Sequence, residues 1–422
     1  MNSTRTNGIS TIQEVSAGKP KAFGRTAVLL AASSLAVGPL ALAGPAAFAT
    51  PPVPVTTAET AEPSGVLHTL AVPAGGDPAV RALPRHTTPP FSLVGLTWDD
   101  PYAELGGTAE VRTRDSRTGA WSGWRALDTD ARTPESGPEH AGPGLRAGTQ
   151  PLWTGPSDGV QLRVSAKRGL PDGLRVDLVD PGDTEAPVPR TATVAPTAPG
   201  QPTITSRAGW GADESLVANP PTYTGDTEAV FVHHTAGSND YTCAESASVI
   251  RGLFVYHVKS QGWNDIGYHF LVDKCGTLFE GRAGGVDKPV QGAHTYGFNT
   301  GTSSVSVLGD YNTATTTPVV RESVAKVAAW KLGLYGHDPS GTVTLTAGAD
   351  NGKYKLGQKV VMNRISGHRD GYPTECPGSN LYADLPAIRT AATATTSPSG
   401  PSAPSTPPAP PAPPDTGETP AP

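Results

Sequence analysis

One stretch late in the chain, Ile365-Ser-Gly-His368-Arg-Asp-Gly-Tyr372-Pro-Thr374-Glu-Cys376-Pro-Gly378, holds an imidazole and a thiol eight residues apart. Imidazole and thiolate are the preferred protein ligands of zinc, and two of them make no stable site. A third is supplied upstream by Glu228-Ala-Val-Phe-Val-His233-His234-Thr235, a short apolar strand ending in paired histidines. Two histidines and a cysteine with one position left open form a catalytic zinc set, whereas structural zinc sites are closed by four protein ligands. Side chains alternate across a strand, so only one of His233 and His234 can face the metal, and alternation alone leaves open which.

The elements that must position these groups can be read from pattern. Val230-Phe-Val232 is a short buried strand, and Thr242-Cys-Ala-Glu245 has the form of a capping box opening a helix with Ala247, Ile250, Leu253, Phe254 and Val258 on one face. Tyr268–Val272 and Thr277–Glu280 read as strands joined by a turn, Ser304–Gly309 as another strand, and Thr317-Pro318 as the start of a second helix that Gly336 ends. Val360–Met362 leads into the His368–Cys376 stretch, which its glycines and prolines mark as a loop, and a short helix near 382–390 closes the domain.

Six pieces in this order carry a family resemblance: Arg207-Ala-Gly-Trp210-Gly211, Phe231-Val-His-His-Thr-Ala236, Gly262-Trp-Asn-Asp-Ile-Gly-Tyr268-His269-Phe270, Phe279-Glu-Gly-Arg282, Gly292-Ala-His294, and Gly367-His-Arg-Asp with Thr374-Glu-Cys-Pro-Gly378. Over residues 203–390 the chain resembles peptidoglycan recognition proteins of the zinc amidase type, related to phage amidase lysozymes. The resemblance implies an α/β fold with a mixed central β-sheet flanked by helices. It also implies one zinc ion per chain held by His233, His368 and Cys376, and hydrolysis of the amide between N-acetylmuramic acid and L-alanine of bacterial peptidoglycan. A zinc-held water acidified towards neutrality would attack the amide, and Tyr268 is the catalytic hydroxyl expected beside the metal. Thr374 is a second catalytic candidate, standing where phage enzymes carry lysine. His294 is expected to line the substrate groove. His234 and His269 are placed with it as substrate-binding candidates, with packed strand histidines as their plainer reading. Arg369 and Asp370 are expected to orient the loop.

Two other functions are weighed. A peptidoglycan-binding module that does not cut is one, and relatives of that kind lose the cysteine ligand that Cys376 keeps. A zinc peptidase is the other, and the chain has no His-Glu-x-x-His helix.

Composition bounds the rest. The 422 residues include 49 Gly and 44 Pro, with 17% charged and 6% aromatic, a mix of loops, β-structure and unstructured segments. A net charge of −6 argues against nucleic acid as a partner. Residues 1–49 read as a signal peptide: Lys19, Lys21 and Arg25, an apolar run, then Ala47-Phe48-Ala49. The protein is therefore expected to be secreted, monomeric and free of the membrane once processed. In that compartment Cys243 and Cys275 are expected to form a disulfide. Residues 50–89 read as a disordered Pro/Ala/Thr-rich segment and 90–182 as a small all-β, sandwich-like domain. Residues 183–202 read as a linker, 203–390 as the zinc amidase domain, and 391–422 as a disordered Pro-rich tail. Within the β domain, the Trp121/Trp124 pair could stack on sugar rings, and core burial is the reading preferred for it.

Overall fold

The computed structural model describes residues 65–129, 134–135, 144–182 and 193–396. The expected signal peptide, residues 50–64 of the expected disordered segment, the first half of the expected linker (183–192) and the tail beyond 396 lie outside the described residues.

The first part of the described chain is all-β. Its strands are β1 (Val66–Ala71), β2 (Val80–Trp98), β3 (Gly107–Asp115), β4 (Arg125–Leu127), β5 (Ala147–Gly148), β6 (Leu152–Ala166) and β7 (Arg175–Asp180). They form one seven-stranded sheet in the order β1-β7-β2-β6-β3-β4, with β5 beside β2. Leu83, Leu96, Trp98, Val111, Leu162, Val176 and Leu178 share one core, so both ends of the long β2 face the same interior. Register shifts lie between Leu83 and His86 and between Thr87 and Phe91. Pro84, Pro89 and Pro90 fall within those gaps, where a strand needs no N–H for its ladder. This corrects the expectation of disorder up to residue 89: residues 66–71 and 80–89 are strand, and their prolines sit at the interruptions.

A second correction concerns Trp121 and Trp124. They are half-buried and lie outside the core. Arg85 stacks on Trp121 at 4.9 Å, Arg163 on Trp124 at 4.4 Å, and Arg112 lies near both rings. The indoles and guanidiniums cover one another on a sheet face.

The second part opens with the one-turn helix α1 (Arg207–Trp210). Residues 193–202, expected as linker, already belong to it: Thr193 bridges Thr205, which in turn bridges Phe279. The central sheet has the order β10 (Leu278–Glu280), β9 (Phe270–Val272), β11 (Thr302–Val307), β8 (Ala229–His234), β14 (Ile365–Gly367). It is parallel except for the β9–β10 hairpin. A separate hairpin pairs β12 (Thr342–Thr346) with β13 (Lys359–Asn363).

Helices α3 (Pro318–Gly333) and α5 (Ser379–Thr396) pack on the face formed by Val230, Val232, Val305, Val307 and Ile365. Thr317 caps α3 with Pro318 in its first turn, as the pattern predicts. Helix α5 is longer than expected and takes in residues 391–396. On the other side α2 (Ser246–Val255) packs Ile250, Leu253 and Phe254 against Leu271 and Leu308. The Thr242–Glu245 capping box precedes it, and Cys243 is disulfide-bonded to Cys275, tying the start of α2 to the β9–β10 turn.

The two parts share a core. Leu93, Trp153 and Val179 of the β domain are buried in one cluster with Val249, Leu253, Phe254 and Tyr256. The Tyr256 hydroxyl donates to the Thr149 carbonyl at 3.0 Å, and the Arg175 guanidinium to the Ser260 carbonyl at 3.0 Å. Each large side chain buried there contributes about 1.5–3 kcal/mol, so the β domain is fixed against the second domain.

Candidate metal centre and active site

Strand β8 presents Phe231 and His233 on one face and Val230, Val232 and His234 on the other, by simple alternation. Register places His233 beside Ser306 of β11, and Gly367 of β14 beside Val232. His368 follows β14 directly and begins the one-turn helix α4 (His368–Gly371). The expected loop is thus a strand, a helical turn and a return: Asp370 accepts from the Gly367 N–H at 2.8 Å, and a full helix never develops before Pro373. That return brings Cys376 back to β8. Thr374 Oγ1 accepts from the Cys376 N–H at 3.1 Å, and Arg369 N–H donates to the Cys376 carbonyl at 2.9 Å. The Tyr382 hydroxyl fixes Asp370 at 2.6 Å.

The ligand atoms of His233, His368 and Cys376 lie within 4.8 Å of one another. Cys376 Sγ is 3.7 Å from His233 Nδ1 and accepts the backbone N–H of His234 at 3.4 Å. Burial holds His233 well below the ordinary imidazole range, and the neighbouring His368 and His294 rings add to this. Burial also pushes His368 down to about 3. Both rings are therefore neutral near pH 7 with lone pairs available, as metal ligation requires. Donor types, neutrality and convergence fit one zinc ion bonded at about 2.0–2.3 Å.

The alternation question is answered by the other histidine. His234 lies on the helix-packed face, where its Nδ1 accepts the Tyr311 N–H at 3.1 Å and burial lowers it to about 4. Its ring does not turn toward the His233 side.

Around His233 stand Tyr268, with ring centroids 5.2 Å apart, and His294, at 5.3 Å. Tyr268 is driven upward by burial, with the nearby Cys376 and Asp128 adding to it, so its hydroxyl stays protonated. His294 Nδ1 pairs with Thr295 Oγ1 at 3.0 Å, while its Nε2 is buried without a protein partner. His269 uses both ring nitrogens on the protein, one with Ser304 Oγ at 3.1 Å and one with the Val290 carbonyl at 2.7 Å. It buttresses His294, 5.5 Å away, and leaves no ring nitrogen for a ligand. Strand β11 carries Ser304 and Ser306 on the site face and no acid.

Several neighbours are absent from the sequence-derived set. His257 stacks on Trp263 at 4.4 Å and packs 6.0 Å from Tyr268. Gln150 of the β domain and Ser306 of β11 hydrogen-bond with the Tyr268 side chain, and Asp128 of the β domain lies near it. Glu135 reaches the loop that carries His294. No local motif announces contacts made across more than a hundred residues.

Comparison with known proteins agrees with this division. Residues 45–202 match the family described as Rv3811 N-terminal galactose-binding domain-like, and residues 223–379 match N-acetylmuramoyl-L-alanine amidase. Peptidoglycan-recognition protein SC2 of Drosophila melanogaster is 31% identical over 187 residues, 43% of this chain and 84% of that protein. The N-acetylmuramoyl-L-alanine amidase of Homo sapiens is 30% identical over 187 residues, 43% of this chain and 28% of that protein. Among solved structures, Drosophila PGRP-LB is 25% identical, with 43% of this chain and 90% of that one covered and a TM-score of 0.33. With its all-β domain followed by a mixed sheet between helices, the chain belongs to the family of peptidoglycan-recognition proteins and N-acetylmuramoyl-L-alanine amidases.

Proposed function

We propose that this protein is a secreted zinc-dependent N-acetylmuramoyl-L-alanine amidase that cuts peptidoglycan between muramic acid and L-alanine. The observation that carries the reading is the convergence of His233, His368 and Cys376 on one point beside the Tyr268 ring. A module that only binds wall fragments has no need of a thiolate ligand, and Cys376 is held by the His234 N–H and the Thr374 turn.

A zinc ion held by His233, His368 and Cys376 would supply Lewis acidity at the amide and a water acidified to near neutrality. The chain's own groups do the rest. Tyr268, kept protonated by burial, donates a hydrogen bond to the oxyanion that develops on the amide carbonyl, a role in which one donor is worth roughly 10²–10³ in rate. His294, with a buried Nε2 lacking a protein partner, offers that nitrogen to the substrate beside His233. Thr374 contributes by shaping the turn that presents Cys376. His234 and His269 hold the strands in place.

Export fits the Lys/Arg-apolar-Ala-x-Ala start, with the mature chain beginning at residue 50. No helix among the described residues is long and apolar enough to cross a membrane. The test is product analysis on purified walls. New L-alanine amino termini support the reading, and termini of other stem residues point to a peptidase.

A further inference from the structure

A cavity of about 280 Å³ opens between the β domain and the second domain. Tyr102 and Glu104 line it from the first, and Tyr296, Asp350, Asn351 and Tyr372 from the second. Two of these residues continue the site already described. Tyr372 stacks on His368, with ring centroids 5.5 Å apart and planes at 22°. Tyr296 stands two positions beyond His294 on the same loop. The Asn351 amide donates to the Tyr296 carbonyl and to the Gly371 carbonyl, each at 2.9 Å, and so ties the loops of His294 and His368 into one wall.

The opposite wall is pinned by the β-domain core. The buried Trp98 indole donates to the Ala103 carbonyl at 2.9 Å, the Tyr102 N–H donates to Asp100 at 2.9 Å, and Leu105 is packed in the core. Tyr102 is nevertheless 55% exposed and takes no part in that core. The chemistry of the lining selects a ligand. Three tyrosines offer flat apolar faces, and Glu104 and Asp350 offer acceptor oxygens, Asp350 with a side chain still 55% exposed beside Lys355. A pyranose matches both, with a C–H face that packs on an aromatic ring and hydroxyls that donate to carboxylates. A stem peptide fits less well: among the described residues that line the cavity there is no lysine or arginine to hold its carboxylates, and two acids stand there to repel them. The volume is at the small end for ligand sites and suits one sugar ring.

We propose that this cavity is a glycan subsite, holding a neighbouring sugar of the strand whose muramic acid is cut, with Tyr102 and Glu104 as the β domain's share of it. The inference rests on the amidase reading above and deepens it. It makes the preferred substrate a stem peptide still carried on polymeric glycan, and it gives the β domain a part in that choice.

The test compares the full mature chain with Tyr102→Ala and Glu104→Gln, all loaded with zinc. Two substrates carry the same tripeptide, one on a single muramic acid and one on a tetrasaccharide of wall glycan. On the tetrasaccharide, kcat/KM should fall about 5- to 10-fold in Tyr102→Ala and about 2- to 5-fold in Glu104→Gln, through KM. On the single sugar both variants should stay within about 2-fold of the wild type. A loss equal on the two substrates, as a stem-binding or merely structural role would give, overturns the subsite and leaves the amidase standing. So does the absence of any loss on the tetrasaccharide. If the wild type cuts neither substrate, the amidase reading fails, and calorimetric titration with the peptide-free tetrasaccharide decides the subsite by itself. Binding that Tyr102→Ala weakens about 5-fold or more supports it. Binding that is absent, or unchanged in Tyr102→Ala, overturns it.

Discussion

The backbone N–H of His234 donates to the Sγ of Cys376 across 142 positions, at 3.4 Å. In the proposed zinc site one strand would thus supply a ligand through the His233 ring and steady a second, Cys376, through the next residue's backbone. A hydrogen bond from N–H favours the thiolate, the form that ligates. Replacing Cys376 by Ser keeps a ligand of similar size but gives zinc a poor oxygen donor. Zinc affinity is expected to fall by 100-fold or more, read by competition with a chromogenic chelator, and an unchanged affinity would remove Cys376 from the site.

Tyr268→Phe deletes one hydroxyl in a ring packed beside His233 and His257. If the hydroxyl acts on the developing oxyanion, kcat falls by about 10²-fold while KM stays within a few-fold and zinc remains bound. Loss confined to KM would make Tyr268 a binding group only.

The joint between domains makes a third expectation. A Cβ at Gly95 would lie 2.3 Å from the Tyr256 ring, which is wedged between strands and fully buried. Gly95→Ala should therefore destabilise by about 1–3 kcal/mol. A chain starting at residue 193 leaves Val249, Leu253, Phe254 and Tyr256 without Leu93, Trp153 and Val179. It is expected to be less soluble and lower-melting than the full chain. Equal Tm values would show that the shared core is dispensable.

Near the same joint, Asp177 is buried, and burial raises it from 3.8 to about 6 despite Thr97 at 2.7 Å and Arg175 at 3.1 Å. The folded chain keeps this proton up to about pH 6, while the unfolded chain releases it near 3.8. The group's stabilising contribution is thus present below 3.8 and lost as pH rises through about 6, by roughly 3 kcal/mol. The stability of the wild type relative to Asp177→Asn should decline across that window in urea titrations. A flat difference would mean that Asp177 is ionised throughout.

The Cys243–Cys275 bond closes a loop with a sequence separation of 32. Removing it as the double serine variant is expected to lower stability by about 2–4 kcal/mol. A change within 0.5 kcal/mol, roughly the scatter of surface substitutions, would contradict its structural role.

What could be read from the sequence was local. His233, His368, Cys376 and Tyr268 each sit in short patterns whose spacing survives folding, and the Thr242 and Thr317 caps are two- to four-residue signals. What escaped depends on distant partners. Trp121 and Trp124 look like core until Arg85, Arg112 and Arg163 arrive from other strands to cover them. Prolines 84, 89 and 90 suggest disorder until β6 leaves gaps in its pairing at their positions. Nothing near Glu135 signals that it will meet Gly297 and Asn299.

The central claim is tested most directly by stripping and restoring zinc in the mature chain and in Cys376→Ala while following L-alanine termini released from purified walls. One zinc per chain, activity lost on stripping and regained with zinc only in the intact protein, is the predicted result. Release of L-alanine termini that is indifferent to zinc, or equal in Cys376→Ala, would contradict the account.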